Sequence, residues 1–319
     1  MEVFQHTFTQ MVMLFFIMVC GFVARKKKMT SDSFDGNLSK LVMTITLPAT
    51  ILNSVLAGEH LPSDETILKM FCYSVVYFVI ACPLAFLIAR VVYGSLDRAA
   101  RGAHAFMMVF GNVGFLGFAV LTAVFNHDAV LYAAIFNITF NLVMFSLGVF
   151  FVAGNDSKTK ERRSLRNQLR AIWTMLTKPV MLASYAAMVL ALLHITDDGP
   201  VGQTCEILGG MTVPAAMLIM GSSLAKMPVR EMLFDGWAYV TTFIRLVLVP
   251  VVMYFLFGLF VTDPYLLAIL VLLAAMPAAT NGTMMCLAYG GDSVTMSRGT
   301  FLTTVLSLVT LPLIALFVA

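Results

Sequence analysis

Apolar runs of about 20 residues, the length that crosses a ~30 Å bilayer core as a helix, recur along almost the whole chain. Charged residues make up only 12% of the 319 residues, about half of the roughly 25% that is usual in a soluble domain. The net charge of +3 is too small to indicate a nucleic-acid partner. We therefore predict an all-α polytopic membrane protein embedded in a lipid bilayer.

The apolar pattern predicts ten transmembrane helices. Their spans are 8–25, 37–57, 66–92, 102–124, 128–152, 178–195, 203–225, 236–260, 265–288 and 295–318. With this arrangement, 18 of the 20 basic residues fall on one side. Because basic connections stay in the cytoplasm, both termini are predicted to lie outside it.

A basic connector at 157–176 divides the chain into residues 1–156 and 177–319. It is interpreted as a cytoplasmic loop beside anionic headgroups, with a partner-binding site as the alternative. Five spans on each side is an odd number, so the second half is expected to lie inverted relative to the first.

The two halves share an order of helix-breaking and polar residues. Pro48 precedes Asn112 by 64 residues, and Pro214 precedes Asn281 by 67. Inverted repeats with paired interrupted helices are typical of secondary transporters. The alternative is that the prolines coincide by chance in apolar sequence.

The ninth span is interrupted at Pro277, and Asn281 follows four residues later. Proline removes a backbone donor and clashes with the preceding turn. Unpaired backbone at bilayer depth survives only inside protein or beside a polar cavity. We therefore interpret this stretch as half of a transport site.

The fourth span carries the other half of the predicted site, Gly111, Asn112, Gly114 and Gly117. Glycines weaken a helix and allow close approach, and Asn112 offers both a donor and an acceptor. Tight helix packing with one interhelical hydrogen bond is the alternative. The matching break in the ninth span favours a paired site.

The charges indicate which substrate such a site would take. All 17 acidic residues fall in loops or at predicted helix ends, which argues against a cation site built on buried carboxylates. A half-helix that begins at a break points unpaired amides and a partial positive charge into the cavity, which suits an anion.

Arg245 is the tenth residue of the eighth span, about 14 Å from its end at 1.5 Å per residue and thus near the membrane centre. An arginine there costs about 2.5–3.5 kcal/mol and is expected to have a partner inside the protein. Two roles stay open: binding the substrate carboxylate, or hydrogen bonding to carbonyls freed at a helix break.

Several motifs together resemble the auxin efflux carrier family, whose bacterial members include malate or malonate permeases. They are GNVGFLGF at 111–118, MTVPAAMLIMGSSLA at 211–225, MPAATN at 276–281, CLAYGGD at 286–292 and TLP at 310–312. The resemblance implies two inverted five-helix repeats with broken, crossed helices four and nine. Spans one, two, six and seven would form a scaffold, and spans three to five and eight to ten a transport domain.

The resemblance also implies a binding site at the crossover. Its residues would be Asn112, Gly114, Gly117, Pro277 and Asn281. From the residues themselves we add Thr280 and Arg245 as candidate substrate-binding residues, and Gly111, Pro48 and Pro214 as residues that shape the breaks and the scaffold. The family usually has proline where this chain has Ala119. We therefore expect the first break to be milder than the second.

We thus predict a secondary transporter in a bacterial cytoplasmic membrane that moves a small organic anion by alternating access. The substrate would be a mono- or dicarboxylate such as malate or malonate, or an auxin-like acid. No catalytic, metal or cofactor motif is present, so no enzyme activity is predicted. Proton or sodium coupling and homodimer formation stay open. The alternatives are a sodium-coupled carrier of bile-acid-symporter type and, from another class, a membrane sensor or membrane-embedded enzyme.

Overall fold

The computed structural model describes residues 2–57, 61–125, 128–153, 165–197, 199–226, 233 and 235–318. These residues form helices and contain no strands, apart from one isolated bridge. The helices are α1 (Glu2–Lys26), α2 (Asp32–Leu56), α3 (Asp64–Val92), α4 (Arg98–Val109), α5 (Val113–Phe125), α6 (Ala129–Val152), α7 (Leu165–Leu176), α8 (Pro179–Leu192), α9 (Pro200–Lys226), α10 (Gly236–Gly258), α11 (Pro264–Ala275), α12 (Asn281–Tyr289) and α13 (Ser293–Val318).

Among the described residues, six helices are long and apolar enough to cross a membrane: α2, α3, α6, α9, α10 and α13. Three shorter apolar helices, α5, α8 and α11, lie between them in the sequence. The all-α fold is thus confirmed. That ten segments cross the membrane as two inverted repeats stays a prediction.

Several predicted boundaries differ from the observed ones. Helix α2 begins five residues before the predicted residue 37, because the Ser31 hydroxyl caps it by accepting a hydrogen bond from the Phe34 amide. The connector contains a helix, α7, and its residues before 165 lie outside the described residues. The fourth and ninth spans are each divided into two helices, α4–α5 and α11–α12.

Two groups of helices pack mainly among themselves. In the first group, α9 packs on α1 and α2, and α2 also packs on α8. At Gly221 of α9, a Cβ atom would collide with the Met18 carbonyl of α1, so glycine permits this close approach. In the second group, α3 packs on α4 and α6, and α13 packs on α4, α10, α11 and α12. Helices α5 and α6 also contact the first group.

Pro48 and Pro214 lie beside irregular turns where α2 and α9 meet. A wide π-helical turn, Val42–Thr46, precedes Pro48, and α9 is interrupted by a turn at Met211 before Pro214. A proline lacks the amide that would bond four residues back, which favours such distortion. Close to both, the hydroxyls of Thr50 and Thr212 lie 2.7 Å apart across the two helices.

Candidate functional site

The breaks in the fourth and ninth predicted spans contact each other. The Asn112 amide donates to the Pro277 carbonyl at 2.7 Å, and the Ala279 amide donates to the Phe110 carbonyl at 2.9 Å. These two bonds form an antiparallel bridge between Gly111 and Ala278. Each break therefore satisfies backbone groups that the other leaves unpaired.

The two breaks differ in length and in how they are held. The first occupies residues 110–112, and the second occupies residues 276–280. In the first, the Asn112 carboxamide caps α5 by accepting from the Phe115 amide at 3.4 Å. In the second, the Ala278 amide donates to the Thr303 hydroxyl of α13 at 3.2 Å. The first break is shorter than the second, but it interrupts the helix fully, although no proline follows it.

Arg245 binds the carbonyl ends of both interrupted helices. Its Nε donates to the Met276 carbonyl at 2.8 Å, just past the end of α11. Its Nη1 donates to the carbonyls of Met108 at 2.9 Å and Val109 at 3.1 Å, at the end of α4. The side chain is only 1% exposed. A cation is favoured at this position because helix carboxyl ends carry a partial negative charge.

Gly111 makes room for this arginine. A Cβ atom at position 111 would collide with Nη2 of Arg245 and lie 3.1 Å from the Met276 Cβ. A larger residue at position 111 would therefore have to displace the guanidinium from the first break.

The opposite side of the crossover, where α5 and α12 begin, faces a cavity of about 610 Å³. Among the described residues, it is lined by two lysines and several uncharged polar residues, and by no aspartate or glutamate. The charged and polar lining residues, all described, are Ser39, Lys40, Thr44, Asn112, Asn137, Asn141, Lys178, Thr280 and Asn281. The electrostatics of this lining favour an anion.

Asn112, which lines this cavity, has an unpaired side-chain donor. Its side chain is 4% exposed, and its Nδ2 has no hydrogen-bond partner within the described part of the chain. Thr280 and Asn281 are exposed at the start of α12. A buried amide donor without a partner is costly, and an anionic oxygen would satisfy it.

A smaller cavity of about 150 Å³ adjoins the same residues. It shares Ser39, Asn112, Phe115 and Thr280 with the larger one and extends between α9 and α13. Open space therefore lies between part of the crossover and helices α2 and α9 of the first group, although α5 also contacts α9.

The structure brings most of the predicted site residues together. Gly111, Asn112, Gly114, Thr280 and Asn281 line the larger cavity. The others lie outside both cavities: Pro277 in the bridge, Arg245 behind it, Gly117 packed within α5 and against Leu273, and Pro48 and Pro214 in α2 and α9.

Sequence reasoning missed Lys40, Lys178 and Thr303 as residues of the site. Lys40 shares one face of α2 with Met43, Thr44 and Leu47, which also line the cavity. That spacing is the helical period that places side chains on one face, so the sequence could have indicated that Lys40 lies on the same face as these residues. No comparable signal marks Lys178 or Thr303, because tertiary packing alone brings them to the crossover.

Residues 6–315 match the model of a family described as membrane transport protein, the family of the auxin efflux carriers. The chain belongs to this family. The resemblance seen in the motifs is thereby confirmed across nearly the whole length.

Three similar proteins carry the name of a transporter. The chain is 25% identical to a putative malonate transporter of Rhizobium meliloti over 279 residues, 86% of this chain and 84% of the relative. It is 23% identical to the uncharacterized transporter YfdV of Escherichia coli K12, with 83% of each chain covered. An uncharacterized transporter of Methanothermobacter thermautotrophicus is 22% identical, with 93% of each covered. The family and the names of these relatives indicate a transporter instead of an enzyme.

Proposed function

We propose that the protein is a secondary active transporter that binds the carboxylate of a small organic anion at the crossover of the two broken helices. The observation that carries the proposal is the unpaired, buried Nδ2 of Asn112 beside a cavity that also exposes Thr280 and Asn281. A malonate-sized mono- or dicarboxylate is the substrate class, in keeping with the name of the Rhizobium relative.

Three features support an anion. Helices α5 and α12 both begin at the cavity, and helix amino ends carry a partial positive charge. Lys40 and Lys178 add formal positive charge to the lining. The described lining contains no carboxylate that would repel the substrate.

We assign Arg245 a structural role in this mechanism. Its donors are directed to three backbone carbonyls and the Tyr77 hydroxyl, and it lies outside the lining of both cavities. By holding α4 and α11 end to end, it would keep the amino ends of α5 and α12 in place for the substrate.

Transport would follow from movement of the second helix group against the first. Helices α3–α6 and α10–α13 would carry the crossover, and α1, α2, α8 and α9 would form the scaffold. The open space between the crossover and α2 and α9 supports this division. Lys40 and Lys178 lie on the side with the basic connections, so this conformation would be the one open to the cytoplasm.

The proposal is tested by uptake into proteoliposomes. A panel of labelled mono- and dicarboxylates is measured with a proton gradient, with a sodium gradient and with no gradient. We expect saturable flux of at least one carboxylate, and at least a tenfold loss in the Asn281→Ala protein. No carboxylate flux by correctly folded wild-type protein under any gradient would overturn the transport proposal. Equal flux in Asn281→Ala would overturn the site alone. Flux without sodium would exclude the sodium-coupled alternative.

A further inference from the structure

A third cavity, away from the crossover, lies on the surface formed by α3, α4 and α6. Its volume is about 700 Å³. Its lining is apolar apart from three arginines. Those residues are Phe78, Val79, Cys82, Pro83, Phe86, Ala89, Arg90, Arg98, Arg101, Gly102, Ala105, Leu147, Phe150 and Phe151. We call this cavity the arginine-capped groove.

The three arginines lie together at one end of the groove. Arg90 is in the last turn of α3, Arg98 begins α4, and Arg101 follows one turn later. No aspartate or glutamate lines the groove among the described residues. The nearby Asp97 carboxylate accepts from the Ala100 amide at 2.8 Å as the cap of α4. The groove therefore carries concentrated positive charge.

The rest of the groove faces outward with large apolar side chains. Val79 is 65% exposed, Phe86 59%, Phe150 51% and Leu147 48%. In a chain that spans a bilayer, such surfaces contact hydrocarbon. Along α3, the groove extends twelve residues, from the buried Phe78 to Arg90. This is about 18 Å at 1.5 Å per residue. That length is close to one leaflet, half of a core of ~30 Å.

We propose that the arginine-capped groove is a binding site for an anionic phospholipid. The phosphodiester would bind the guanidinium groups of Arg90 and Arg101, whose planar donors suit phosphate oxygens, and one acyl chain would lie along the groove towards Phe78. The arginines are on the side with the basic connections, where anionic lipids concentrate. A zwitterionic headgroup brings its own cation, so it would gain less from three arginines.

The test is native mass spectrometry of delipidated protein in micelles that contain equal amounts of phosphatidylglycerol and phosphatidylcholine. The double variant Arg90→Gln with Arg101→Gln removes two charges from the groove. Arg98 also takes part in another interaction of the chain and is left unchanged. The control is Lys27→Gln with Lys28→Gln, which removes the same charge from exposed positions outside the groove.

We expect wild type and control to retain phosphatidylglycerol in preference to phosphatidylcholine. In the groove variant, the ratio of retained phosphatidylglycerol to retained phosphatidylcholine should fall at least tenfold. Leu147→Trp, which fills the groove and leaves the arginines intact, should lower retention of both lipids. Soluble glycerol phosphate should not compete. The proposal would be overturned if the groove variant kept the wild-type preference, or if the control lost as much of it as the groove variant. It would also be overturned if glycerol phosphate competed as strongly as the lipid does.

Discussion

Arg245 illustrates how one side chain can offset the cost of two helix breaks. An arginine at the membrane centre costs about 2.5–3.5 kcal/mol on insertion scales. An unpaired buried carbonyl costs about 1–3 kcal/mol, and the guanidinium bonds three of them, at Met108, Val109 and Met276. The charge and the breaks are therefore tolerated together, where each alone would destabilise the fold.

This arrangement predicts that alanine is destabilising at Gly111 but tolerated at Gly114, three residues later. Gly111→Ala should displace the guanidinium and lower the thermal unfolding temperature in detergent, because its Cβ would collide with Arg245. Gly114→Ala is the matched control, since its Cβ would meet only the Met43 methyl at 3.9 Å. It should change the unfolding free energy by no more than about 1 kcal/mol, in the range of an unstrained Gly-to-Ala change. Equal unfolding temperatures for both variants would contradict this account of Arg245.

The Asn112 side chain caps a helix and carries an unpaired donor, and a single substitution can keep the cap while removing the donor. Its Oδ1 caps α5, and its Nδ2 is the unpaired donor. Asn112→Asp keeps the cap, because aspartate caps helices as well as asparagine, but it removes the donor and adds negative charge. We expect a folded but less stable protein, because the added carboxylate is buried. The KM for the carboxylate should rise at least about 10- to 100-fold, the loss of about 1.5–3 kcal/mol for a hydrogen bond to a charged group, and repulsion by the added charge would increase it further. An unchanged KM would remove Asn112 from the site.

At the scale of elements, each broken helix depends on a neighbour for its backbone pairing. The second break is longer, and α13 supplies the Thr303 hydroxyl that accepts from the Ala278 amide. Thr303 is fully buried, so no solvent can replace it in this conformation. The break is thus stabilised by a helix that follows it in the chain.

Replacing Thr303 tests this dependence with nearly isosteric changes. Thr303→Val removes the acceptor, leaves the buried Ala278 amide unpaired, and should destabilise the protein by about 1–3 kcal/mol. Thr303→Ser keeps the hydroxyl and should retain most of the stability. Thermal unfolding in detergent and carboxylate uptake measure both effects. If valine matched or exceeded serine in stability, the hydroxyl would have no role in holding the break.

At the scale of the whole molecule, the two cavities lie between part of the crossover and helices α2 and α9. Ser39 of α2 and Thr280, at the start of α12, line both cavities. They belong to different helix groups, so alternating access would change the distance between them. The hydroxyls of Thr30 and Ser222 lie 3.4 Å apart within the first group, where no change is expected.

Cross-linking at these two pairs tests the movement. In a background without the five native cysteines, we compare the Ser39→Cys with Thr280→Cys protein before and after bridging by a short bifunctional reagent that forms disulfides. Bridging should lower the uptake of this same protein at least tenfold, and reduction should restore it. Thr30→Cys with Ser222→Cys should transport equally well before and after bridging. Full uptake by the bridged Ser39–Thr280 protein would exclude movement at this interface.

The sequence alone determined the fold class and the positions of both breaks. Apolar runs sized to the bilayer allow only helices, since hydrocarbon cannot pair backbone groups. Proline and glycine mark breaks through local steric effects that need no knowledge of the rest of the chain. Pro277, Asn281, Gly111 and Asn112 were therefore found without coordinates.

Only the tertiary structure decided which groups pair at those breaks. The sequence left Arg245 between a ligand and a structural role, and the structure directs its donors to carbonyls from two distant segments. Lys178 and Thr303 likewise reach the crossover through packing between helices far apart in the chain. Such long-range contacts depend on how whole helices are oriented, and a local pattern of residue types does not encode that orientation.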